Sequence, residues 1–100
     1  MEINKVKDML IDAKQDHAWA VSRLEEFERN VRKHAYPTMI SQSNAQKMNL
    51  EFEHAVAQQD ENWQYWQRLK NDVTKTSLDL FEAELLWEIA ITELRNGQLE

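Results

Sequence analysis

Glu51, Phe52, Glu53 and His54 contain the spacing E-x-x-H. On a helix this spacing puts a carboxylate and an imidazole on one face, as carboxylate di-metal bundles do with their ligand pairs. A complete site of that kind needs further carboxylates and a second such pair, which only a second copy of the chain would supply. Phe52, Ala55 and Gln59 define the inward face of this stretch and leave Glu51 and His54 to one side of it. A solvated flank is therefore the preferred account of Glu51 and His54. A metal-binding bundle is kept as an alternative, and no cofactor is expected.

The other histidines give no catalytic pairing. His17 falls on an apolar seam, where a packed ring bonded to a neighbour such as Gln59 or Asn62 is the expected arrangement. Protonation of a buried seam histidine would loosen the packing around it. His34 sits beside Pro37, where exposure is expected. Ser41 and Ser43 lack the glycine-framed elbow of a nucleophile, and the chain has no glycine-rich loop to cradle phosphate. With no cysteine, disulfides and thiolate metal sites are excluded. Catalysis is not expected.

Trp63, Tyr65 and Trp66 are followed closely by Arg68 and Lys70. Aromatic rings interleaved with bases can stack single-stranded nucleic acid. The net charge of -6 and the seam position of Trp66 favour aromatic packing instead. Trp63 and Tyr65, displaced from the seam, become candidates for contact with something beyond the first helix, since Trp and Tyr are frequent interface anchors. Glu82, Glu84, Glu88 and Glu93 form acidic strips near the C-terminal end. Their simplest account is the solvated edge of a packed helix. The alternative is an acidic decoy or inhibitor of a DNA-binding protein, such as a phage or mobile element would carry.

The elements that must position these residues are helical. One Gly and one Pro in 100 residues leave too few turn formers for β architecture, so the fold is read as all-α within a single domain. Residues 3–31 carry a heptad stripe of Ile3, Val6, Leu10, Ala13, His17, Ala20, Leu24, Phe27 and Val31. A first helix over about 3–34 follows, with Arg29, Arg32 and Lys33 suited to the negative end of its dipole. Pro37 breaks it. The next helix starts at Pro37 or at Ser43, where Ser43-Asn44-Ala45-Gln46 has the form of a capping box.

A second stripe runs through Met48, Phe52, Ala55, Gln59, Asn62, Trp66, Leu69 and Val73, then in the same register through Thr76 to Leu80, Ala83, Trp87, Ala90 and Leu94. Two architectures fit. One is a single helix over about 43–96, on the order of 80 Å long at 1.5 Å per residue, paired as an antiparallel hairpin with the first. The other breaks near residues 71–77, whose Asn, Asp and Thr are poor helix formers, and gives a three-helix bundle. The unbroken register favours the single helix. Gln59 and Asn62 in mid-seam are expected to face water beside Trp63, or else to fix register. Asn96-Gly97 is the expected stop.

Residues 78–94 have two apolar faces rather than one. Leu78, Phe81, Leu85 and Ile89 make the first, and Leu80, Ala83, Trp87, Ala90, Ile91 and Leu94 the second. A helix with two stripes must be covered from two directions. The expected function is that of a non-enzymatic interaction protein that self-associates, or binds a protein partner, through this C-terminal helix. Its interface candidates are Leu78, Phe81, Leu85 and Ile89, with Trp63 and Tyr65. Residues 1–35 balance seven bases against seven acids, whereas residues 75–100 carry two bases and six acids. Direct binding to nucleic acid or to an anionic membrane is therefore not expected. With no span-length apolar run and no leader before the first helix, a cytoplasmic location is expected.

Overall fold

The computed structural model describes residues 2–35 and 45–97. Among them are three α-helices and no strand: α1 over Ile3–Ala35, α2 over Ala45–Ala57 and α3 over Asp60–Arg95. The Pro37 break and the Ser43 capping box lie outside the described residues. The fold is all-α, and α1 packs against α3.

The second helix is not continuous. It is interrupted at Gln58 and Gln59, not near residues 71–77. Gln58 N–H still bonds the His54 carbonyl at 3.2 Å, but Gln59 N–H reaches back only three residues, to the Val56 carbonyl at 3.3 Å. The ladder restarts with Trp63 N–H on the Gln59 carbonyl at 3.0 Å. Phe52 and Trp66 would stand about 21 Å apart along one straight helix. Their ring centroids lie 5.2 Å apart, so the chain reverses between them. Asp60 and Glu61 occupy the first turn of α3, where the positive end of the helix dipole favours them.

Residues 71–77 are helical throughout. The Thr76 hydroxyl donates back to the Asp72 carbonyl at 2.8 Å, which satisfies it without leaving the helix. At the far end, Gly97 adopts φ 73° and its N–H bonds the Leu94 carbonyl at 3.1 Å. That left-handed residue just past the last turn is the stop that only glycine makes without strain.

The described chain forms two compact units, Ser22–Asn71 in one and Met1–Val21 with Asp72–Glu100 in the other. In the Ser22–Asn71 unit, the end of α1, all of α2 and the start of α3 enclose a core of Phe52, Val56 and Trp66. Leu24, Phe27 and Val31 of α1 pack against it, and Leu69 is fully buried. The inward face of α2 is thus Phe52 and Val56, four residues apart. The expected Gln59 is exposed, and Ala55 is half-buried.

In the other unit, α1 and α3 run antiparallel. The buried residues there are small: Val6 and Ala20 from α1, Ala83 and Ala90 from α3. Leu80, Trp87 and Ile91 are half-buried beside them, while Leu94 is exposed. All nine seam positions of α1, from Ile3 to Val31, are buried or half-buried. The heptad stripe is therefore its packed face in both units.

Candidate functional site

The outer face of α3 follows from its inner one. With Ala83 and Ala90 buried at about 100° per residue, Leu78, Phe81, Leu85 and Ile89 must point away from α1. They are exposed to 65, 62, 44 and 48%. Four large apolar side chains on one exposed stripe form the kind of patch that marks an interaction surface. Glu82 and Glu88 flank it, one on each side, and both are exposed.

On the Glu82 side the helix borders a groove of about 320 Å³ between α1 and α3. Met9, Ala13, Ala83 and Leu86 supply its apolar lining. Asp12, Asp16, Asp79 and Glu82 supply four carboxylates. The acidic strip on α3 thus joins acids of α1 that the sequence pattern does not associate with it.

Trp63 and Tyr65 are both part-exposed, but each is engaged within its own unit. Trp63 packs edge-on to Trp66 at 5.6 Å, and Tyr65 packs edge-on to Phe27 of α1 at 5.2 Å. Tyr65 therefore contacts the first helix itself rather than only something beyond it. Trp66 is buried. Its ring meets Phe52, its Nε1–H donates to Glu28 Oε2 at 3.1 Å, and Lys70 Nζ sits 3.8 Å from its centroid. Trp66 and Lys70, which a stacking platform would have presented together, instead contact each other.

His17 is half-buried in the α1–α3 seam, and its partner is Thr76, at 3.1 Å from Nδ1. Gln59 and Asn62 do not reach it. They bond each other, Asn62 Nδ2–H donating to Gln59 Oε1 at 2.9 Å on an exposed part of the turn. The Thr76 hydroxyl oxygen thus lies within bonding distance of His17 Nδ1 on the facing helix and of the Asp72 and Val73 carbonyls on its own.

His54 is exposed on α2. Glu51 falls on the same helix, with its side chain outside the described set. Among the described residues, no three His, Asp or Glu side chains cluster as metal ligands would. No helix among them is long and apolar enough to cross a membrane.

The exposed Trp19 of α1, at 68%, is a residue that heptad reading passes over because it lies off the stripe between His17 and Ala20. Met9, Ile11 and Leu50 are exposed too, but none forms a stripe comparable to that of α3. Comparison with known proteins adds no relative: no family model, curated protein or solved structure matches the chain.

Proposed function

We propose that the protein is a non-catalytic helical interaction protein that self-associates through the outer face of α3. The observation that carries this reading is the exposure of Leu78, Phe81, Leu85 and Ile89 together on one side of a helix whose other side is already packed. Isolated exposed apolar residues need no explanation, but an aligned row of four does. The carboxylate-lined groove offers some support for docking a basic segment of a DNA-binding protein. Acidic rims on exposed helices are more often solvated edges, so that reading is secondary.

The test is solution mass by sedimentation, paired with helix content, for the natural chain and for Leu85→Glu. The natural chain is expected to associate with rising concentration. Leu85→Glu is expected to give a smaller species with unchanged helicity, because residue 85 is exposed and its replacement leaves the α1–α3 seam intact. An assembly of unchanged mass in Leu85→Glu would remove this face from the account.

A further inference from the structure

We infer that the outer face of α3 pairs with the same face of a second copy in antiparallel register, about a two-fold axis level with Ala83. This rests on the self-association proposed above and specifies its geometry. The first argument is the pattern of the stripe. Reversed about a point on the outer face level with Ala83, the exposed row maps onto itself to within one residue, so that Leu78 meets Ile89 of the second copy and Phe81 meets its Leu85. An isologous interface requires such self-complementarity of a single patch.

The second argument is charge. In antiparallel pairs, the same flank of each helix faces its counterpart. On one flank of this stripe lie Lys75, Glu82 and Glu93, and reversal sets Lys75 of each copy beside Glu93 of the other. Two opposite-charge pairs result, at the two ends of the contact. The unfavourable encounters are Glu82 with its own copy on this flank and Glu84 with its own copy on the other, both near the axis. In parallel pairing the two flanks face each other crosswise, and Glu82 of each copy would meet Glu88 of the other. That also gives two like-charge encounters, but it separates Lys75 from Glu93 and so loses both opposite-charge pairs. The antiparallel register is therefore the better match. Four side chains per copy make a contact smaller than the roughly 1,600 Å² of a standard interface, so the association is expected to be weak and concentration-dependent.

The chain contains no cysteine, which makes the register directly readable. Leu78→Cys and Ile89→Cys variants of the full chain would be prepared singly, then oxidised alone and as an equimolar mixture. Each residue is exposed, so neither substitution disturbs the α1–α3 seam. The expected result is a disulfide-linked dimer that forms in the mixture at least several-fold faster than in either single variant. Faster homodimer formation by each variant alone would mean parallel pairing. That would overturn the inference while leaving the α3 face as the self-association surface.

A charge exchange provides an independent readout. Lys75→Glu is expected to weaken association several-fold, and the double variant Lys75→Glu with Glu93→Lys is expected to restore it. A double variant no better than the single one would overturn the Lys75–Glu93 pairing. A natural chain that stays monomeric at all concentrations would overturn both the inference and the self-association beneath it.

Discussion

Trp66 is the side chain on which the Ser22–Asn71 unit converges. It touches Phe52 and Trp63, donates to Glu28 and lies under Lys70. Its indole N–H has an acceptor, so burial leaves no polar group without a partner. Trp66→Ala is expected to destabilise the chain by about 3–5 kcal/mol, the usual cost of emptying a buried aromatic site. Trp66→Phe would keep most of the packing and lose the bond to Glu28, for a smaller cost of about 1–3 kcal/mol. Urea unfolding followed by circular dichroism measures both, and equal costs would mean that the bond to Glu28, not the ring, holds the site. The burial of Trp66 was legible from its place in the heptad. The partner of His17 was not, because a seam residue's own position does not say which of several polar residues on the facing helix will arrive opposite. Antiparallel packing brings Thr76 there.

At the scale of the element, α1 was readable nearly to the residue. Its stripe is apolar at every position but His17, and a helix packed along one face throughout must show such a stripe. The α2–α3 interruption was missed for a physical reason. A turn of two residues need not disturb a heptad pattern, since the helices on both sides still require an apolar face toward the same core. Register therefore survives a reversal and does not argue for continuity. The better signal lay in the fault itself. Gln59 and Asn62 are polar where the stripe demands apolar residues, and Asp60-Glu61 between them supplies the acids of a helix first turn. The Asn, Asp and Thr of residues 71–77 carried less weight than their propensities suggested, because packing against α1 and the back-bonded Thr76 hydroxyl hold them helical. If the α3 start depends on its acidic turn, Asp60→Lys should cost about 0.5–1 kcal/mol at low salt. It would also remove the acceptor of Gln64 Nε2, now 3.0 Å from Asp60 Oδ2. The loss should shrink as salt is added, which urea midpoints at two ionic strengths would show.

For the molecule as a whole, the two units differ in what holds them. One encloses Phe52 and Val56 of α2 and Trp66 of α3 against Leu24, Phe27 and Val31 of α1, with Leu69 beside them, while the buried residues of the other, among the described residues, are one valine and three alanines. Small residues at the centre of that seam let α1 and α3 approach closely, and the larger Leu80, Trp87 and Ile91 beside them are only half-covered, so each contributes part of its apolar area at about 25 cal/mol per Å². The row of exposed apolar side chains on the outer face of α3 belongs to this unit, so this is the one that pairing with a second copy would reinforce. This asymmetry yields a prediction for amide hydrogen exchange. In dilute protein the backbone around Phe52, Val56, Trp66 and Leu69 should be the best protected, and that of residues 78–89 should open at lower free energy. Raising the concentration should slow exchange across residues 78–89 and leave the Trp66 region nearly unchanged, because association stabilises by mass action the surface it covers. Uniform slowing over both units would mean that the chain unfolds only globally, with association stabilising all of it at once. Slowing confined to residues outside 78–89 would place the contact elsewhere, with the exposed Trp19 of α1 the first residue to substitute.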